Sequence, residues 1–141
     1  KLKIGENKID KYSVRVRKQY HRGSGSLGFV FSWGLAYVTD SEPTREGIEF
    51  VPGVKLLLHE HYRSGEDILK RENARLEDHF DGEHVTTVGA AMIAKEANVG
   101  KLALIHHYPF ADENQLQSQL KLAQSIFPKT ILCEDLKTII F

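Results

Sequence analysis

Two short segments, residues 54–58 (VKLLL) and 102–105 (LALI), are apolar along nearly their whole length. A strand with water on one face alternates apolar and polar side chains; a strand covered on both faces does not. These runs therefore ask for an α/β arrangement in which a sheet is packed by other layers. The flanking chain supplies candidates. Residues 86–98 place Val88, Ala91, Met92 and Ala94 as buried positions of a helix, with Asn98 or Gly100 to end it. Residues 114–127 carry Leu116, Leu120, Ala123 and Phe127 at helical spacing, and Pro128 stops the run.

The first sixty residues have a different texture, that of strands joined by short turns. Residues 12–20 alternate Val14 and Val16 with Arg15 and Arg17, the pattern of a half-buried strand. Residues 27–33 and 35–39 read as a tight hairpin through Gly34. Residues 41–50 open as a helix, with Ser41 as cap and Pro43 in the first turn. Residues 64–78 are charged and read as a helix with a narrow apolar side of Ile68, Leu69 and Leu76. Residues 130–132 and 137–141 read as two closing strands. The turn HRGSGS at 21–26 reads as a plain turn rather than a phosphate cradle, because no helix-opening phosphate motif follows it. The expected fold class is α/β, an α+β mixed sheet with helices on at least one face, with residues 1–141 as a single domain.

At 141 residues, 41% hydrophobic and 27% charged, the chain has enough apolar content for one core, which excludes a disordered tail. A net charge of zero argues against an overall pull toward nucleic acid or an anionic membrane. The single cysteine, Cys133, rules out an internal disulfide, and a reducing, cytoplasmic setting is the expectation. No apolar run approaches the roughly 18 residues of a membrane span. The first residue is Lys1 rather than a methionine, which reads as trimming, processing or a longer parent.

Seven histidines stand out, chiefly for their positions. His21 follows a strand, His59 and His61 end another around Glu60, His84 precedes a helix, and His106 and His107 end a third strand. Asp40 ends a fourth. In α/β sheets ligands gather at the carboxyl ends of strands, where side chains from separate strands converge. Imidazole and carboxylate together suit zinc, iron or manganese. His59-Glu60-His61 could present both rings to one ion, since residues two apart in a strand face the same way. Glu60 is the preferred functional member, and His59 and His61 stay unassigned.

The segments VRKQYHRGSGSLGFVF, AYVTDSEPT, VKLLLHEHY and GEHVTTVGAAMIAKEANVGKLALIHHYP resemble the carboxyl-terminal half of the metallo-β-lactamase superfamily, in its ribonuclease Z and phosphodiesterase-like branch. The matches are His21 before Gly28-Phe29, Asp40-Ser41 at a strand end, His59-Glu60-His61-Tyr62 against His-Glu-Ala-Thr, His84-Val85-Thr86 against His-Ser-Thr, and Leu104-Ile105-His106. The resemblance implies one half of an αββα sandwich and a centre of two divalent metals, zinc foremost, with manganese or iron as alternatives. It implies that His21 and His106 each ligate one metal and that Asp40 bridges both. It implies that His84 acts beside them as proton donor or transition-state stabiliser, held by Glu60, with His107 behind the ligands.

Two departures qualify the match. The superfamily's His-x-His-x-Asp-His signature is absent from these residues, and the stretch between His21 and Asp40 is short for ribonuclease Z. The expected activity is phosphodiester hydrolysis by a dinuclear centre of which this chain supplies part, with transfer-RNA processing not favoured. Acyl or thioester hydrolysis is a further option, and a metal-poor folded or oligomerising module is the alternative from another class. The expected partners are a phosphoester substrate and either the missing amino-terminal half or a second copy of the chain in a homo-oligomer; nucleic acid is a less favoured partner. Three expectations are geometric. His21, Asp40 and His106 converge at one sheet edge. His84 meets Glu60. An apolar sheet face is left open, because residues such as Val30, Val38, Leu57 and Leu104 cannot all be buried by the chain's own helices.

Overall fold

The computed structural model describes residues 1–21 and 25–141, so the middle of the HRGSGS turn lies outside the described residues. Seven strands form one mixed sheet: β1 (Gly5–Ile9), β2 (Tyr12–Gln19), β3 (Ser26–Phe31), β4 (Leu35–Val38), β5 (Leu56–Glu60), β8 (Leu102–Ile105) and β9 (Thr130–Leu132), in that spatial order. β1 to β4 are joined as antiparallel neighbours, and β4, β5, β8 and β9 run parallel. A short pair, β6 (Phe80–Asp81) and β7 (His84–Val85), stands apart. The parallel strands are linked through α1 (Arg45–Phe50), α3 (Thr87–Glu96) and α4 (Glu113–Ile126). Crossovers of one hand that advance in one direction along a sheet leave their helices on one face. One face is accordingly covered and the other is open.

The covered face holds the core. Ala36, Val38, Leu57, Leu102 and Leu104 pack there with Ile48 and Phe50 of α1 and with Ala90, Ala91, Ile93 and Ala94 of α3. Alanine at successive α3 positions keeps the helix backbone close to the sheet. Thr86 caps α3 by accepting from the Gly89 N–H at 3.2 Å, and Asp112 and Gln115 form a reciprocal capping box on α4.

Register settles which residues line the open face. Val16, Phe29 and Tyr37 are direct partners across β2, β3 and β4, as are Val14, Phe31 and Leu35. Val14 and Val16 on this face are buried, but Phe29, Phe31, Leu35, Leu58, Ile105 and Ile131 are only half-buried and Tyr37 is 39% exposed, and none of them joins the helix-packed core. Val38, Leu57 and Leu104 are not on the open face, contrary to expectation. They share parity with Val30 on the covered side and are at most 5% exposed. Alternation along a strand makes a one-residue error in parity a complete exchange of faces. Arg15 and Arg17 likewise lie on the covered side, over the Phe50 ring at 5.3 and 6.0 Å, and Arg15 donates to the Phe50 carbonyl.

Other elements differ from their expected bounds. Thr44, not Ser41, caps α1. The charged stretch 64–78 forms only the single turn α2 (Glu66–Leu69) and a 3-10 turn at Leu76–His79, with Asn73 at φ 60° between them. Residues 137–141 form no strand; Ile140 is 85% exposed. No helix among the described residues is long and apolar enough to cross a membrane.

Gly65 sits at φ 73°, where an added Cβ would collide with the Thr86 side chain and reach the His79 ring at 3.0 Å. Gly65→Ala is expected to cost about 1–3 kcal/mol, through overpacking and left-handed backbone strain together. Thermal unfolding followed by circular dichroism checks this, and an unchanged midpoint would contradict it.

Candidate metal centre

β2, β4, β5 and β8 all point the same way, so their carboxyl ends share one edge of the sheet. His21 lies two residues beyond β2, Asp40 two beyond β4, and His106 one beyond β8, while Glu60 is the last residue of β5. Asp40 and His106 both hold left-handed backbone, at φ 50° and 51°. Such conformations cost free energy in non-glycine residues and concentrate at functional sites. Here they turn the chain sharply as each strand ends.

The side chains meet. Nε2 of His21 is 3.9 Å and Nε2 of His106 is 3.8 Å from Oδ1 of Asp40. Nδ1 of His84 lies 2.7 Å from Oε2 of Glu60 and 3.7 Å from Oδ1 of Asp40. Asp40, Glu60, His84 and His106 each offer one ligand atom, all within 4.8 Å of one another. The imidazole–Asp40 separations are too long for hydrogen bonds. Imidazole nitrogens grouped around a carboxylate at this spacing are the donor set of a zinc, manganese or iron site, so these residues fit a divalent cation.

Glu60 is fully buried and its carboxylate is well partnered. Oε1 accepts from the Ser41 N–H at 2.7 Å, the Ser41 hydroxyl at 3.0 Å and the Val85 N–H at 3.3 Å. Burial pushes its pKa up, but His106, His59, the Ser41 N–H and His84 outweigh that and hold it at about 2. An ionised carboxylate only accepts, so Nδ1 of His84 carries the proton of that bond, leaving Nε2 as the atom that can take or give one. The Glu60 carboxylate beside His106 also raises the pKa of that imidazole.

The remaining histidines go elsewhere. His59 and His61 do face the same way, but toward the covered side. His59 bonds the Glu60 carbonyl at 2.8 Å and His61 the Thr87 hydroxyl at 3.1 Å. His107 is exposed, its ring 5.9 Å from His61. His79 is buried against the Thr86 hydroxyl at 2.9 Å. Ser41 and Tyr62 belong to the site without having been singled out for these roles. Tyr62 stacks on the His84 ring with centroids 4.3 Å apart.

Burial lowers the pKa of His59, of His79 and of His61, the last to about 3 with help from the His107 charge. Each is neutral when folded and titrates near 6.5 when unfolded, so below that pH the unfolded chain binds more protons. Stability is expected to be full above pH 6.5 and to fall toward pH 3, by about 1.4 kcal/mol per pH unit for each proton taken up. Urea unfolding at pH 7.5 and pH 5 measures this; equal stabilities would contradict it.

No protein-family model matches the chain. Its sequence is 33% identical to a ribonuclease Z of Saccharolobus islandicus over 99% of this chain and 49% of that protein. It is 40% identical to a ribonuclease Z of Azobacteroides pseudotrichonymphae over 74% of this chain and 33% of that protein. The chain thus spans about half the length, or less, of the curated relatives it matches. Its fold superimposes on the metallo-β-lactamase fold protein YhfI from Bacillus subtilis with a TM-score of 0.69 at 22% identity, over 92% of this chain and 49% of that one. With strand-end histidines and Asp40 gathered at one sheet edge, this likeness in sequence and fold means that the chain belongs to the metallo-β-lactamase superfamily, in its ribonuclease Z-like branch.

Proposed function

We propose that these residues form part of a metal-dependent hydrolase acting on phosphodiesters through a dinuclear centre, zinc foremost. The observation that carries the reading is the meeting of Asp40 with three imidazoles beside a buried, ionised Glu60. His21, Asp40 and His106 would hold metal, with Asp40 between two ions. The bound ions would supply Lewis acidity and a hydroxide at neutral pH. Glu60 fixes the His84 tautomer, and Nε2 of His84 then protonates a leaving alkoxide or hydrogen-bonds a phosphoryl oxygen. Tyr62 covers one face of that imidazole and limits its rotation.

The remaining ligands would come from a His-x-His-x-Asp-His segment in an amino-terminal half, whose sheet would cover the open face of Phe29, Phe31, Tyr37 and Leu58. An exposed apolar face of this kind marks an interface. The ribonuclease Z relatives favour a phosphodiester over an acyl substrate.

Elemental analysis and hydrolysis of bis(p-nitrophenyl) phosphate test the proposal. Bound zinc or manganese, with turnover abolished by a chelator and restored by the metal, is the expected result. Turnover indifferent to chelation, or a metal-loaded protein inert to every phosphodiester, would overturn it.

A further inference from the structure

His84 reaches the metal centre on a slender support. It belongs to the β6–β7 hairpin, which pairs Phe80 with Val85 and Asp81 with His84 and lies outside the main sheet. A two-stranded hairpin alone is marginal in water. Backbone bonds fasten its base: the Tyr62 N–H donates to the Val85 carbonyl at 2.9 Å, and the Thr86 N–H to the His79 carbonyl at 3.0 Å. Its tip turns through left-handed backbone at Gly82 and Glu83, φ 58° and 74°. That tip serves a second imidazole, since Nδ1 of His21 lies 3.3 Å from the Glu83 carbonyl. Arg63, three residues past β5, reaches toward the tip from firm ground, because its own carbonyl accepts from the Thr87 N–H at 2.7 Å. Its Nη1 lies 3.4 and 3.3 Å from the two carboxylate oxygens of Asp81, the cross-strand partner of His84. The guanidinium also lies 5.7 Å from the Tyr62 centroid and 5.2 Å from that of Tyr108, and Tyr62 stacks on His84. Arg63 thus acts on His84 by two routes, the hairpin backbone and the Tyr62 ring.

We propose that Arg63 is a positioning residue for His84, a clamp that holds the hairpin tip so that the imidazole keeps its place beside the metals. The inference deepens the phosphodiesterase reading and rests on it for the reaction that His84 serves. An exposed ion pair by itself is worth little, and Arg63 and Asp81 are 54% and 34% exposed. Two features raise its importance here. The tyrosine rings restrict the guanidinium and add cation–π attraction. The clamp also acts on geometry, where a misplacement of about 1 Å can cost roughly 10²-fold in rate. Tyr62 stands in place of the threonine of His-Glu-Ala-Thr, so this arrangement departs from the superfamily pattern.

Steady-state hydrolysis of bis(p-nitrophenyl) phosphate by Arg63→Met tests the clamp. The expected result is a kcat lower by about tenfold, with KM and metal content unchanged. Arg63→Lys keeps the charge without the planar fork and should recover part of the loss. Asp81→Asn, the second variant should Arg63→Met misfold, should lower kcat severalfold, and the double variant should be no slower than Arg63→Met alone. Nitrogen-15 NMR adds a readout that needs no turnover. The His84 Nδ1–H, held on Glu60, is expected as a sharp downfield signal in wild type that broadens in Arg63→Met. An unchanged kcat, a raised KM with kcat intact, fully additive losses in the double variant, or an unaltered His84 signal overturns the proposal. Failure of the phosphodiesterase reading looks different: the His84 signal still broadens in Arg63→Met, while neither protein hydrolyses the diester.

Discussion

Replacing His84 with alanine is expected to lower phosphodiester turnover by about 10²- to 10⁴-fold, the usual contribution of a positioned acid–base group, with metal content unchanged. The expectation follows from the 2.7 Å bond between Nδ1 and a carboxylate that stays ionised at every working pH. That bond leaves Nε2 for proton transfer. Steady-state kinetics paired with elemental analysis of the same sample decides the matter. Loss of metal together with activity would instead make His84 a ligand. Added imidazole should restore part of the rate in the variant if the ring acts through a proton.

Glu60→Leu carries the largest expected effect on folding. The side chain is fully buried, and removing it strands the Ser41 and Val85 N–H groups and the ring nitrogen of His84. Breaking a buried network by deleting its charged member costs about 3–5 kcal/mol, or roughly 10–20 °C in the unfolding midpoint for a chain of this size. Glu60→Gln keeps an acceptor oxygen and should lose less. The pH dependence has a definite sign. The folded-state pKa lies below the unfolded value of 4.5, so the carboxylate stabilises the fold above that pH and its contribution disappears as pH falls toward 2. The gap between wild type and Glu60→Leu should therefore narrow in that window. A variant as stable as wild type at pH 7 would show that the network does not hold the fold together.

Much of the site was legible because each residue follows an apolar run that ends abruptly. Asp40 after AYVT and His106 after LALI stand where a buried strand must stop, and parallel neighbours bring such stops to one edge. The close approach of His84 to Glu60 followed from motif order. Contacts that depend on tertiary folding were not legible. Ser41 reads locally as a helix cap, but the fold turns its N–H and hydroxyl toward Glu60. Tyr62 reads as the residue after a metal-like motif, with nothing to announce its stack on His84. The charged segment 64–78 has helical spacing but few apolar residues to anchor it, and only Gly65, Ile68 and Leu76 in it are buried. The strand β1 was missed because an edge strand with GENKI composition lacks alternation and is held by pairing with β2. The face of Val38, Leu57 and Leu104 was misassigned because parity across a parallel sheet depends on register, which separate strands do not reveal.

The register of the parallel strands has a bearing on how such a chain can change over time. Val38, His59 and Leu104 stand side by side, so Asp40, Glu60 and His106 emerge from adjacent rungs of a ladder whose spacing is set by backbone hydrogen bonds, about 4.8 Å per strand. Their mutual distances owe nothing to the length of the crossovers that join them. A loop or helix inserted between β4 and β5, or between β5 and β8, would enlarge the molecule without moving a ligand. A single residue inserted within one of those strands would swing its terminal side chain to the opposite face. Lineages carrying this half-fold should therefore differ freely in the size of their connections and hardly at all in the length of three short strands.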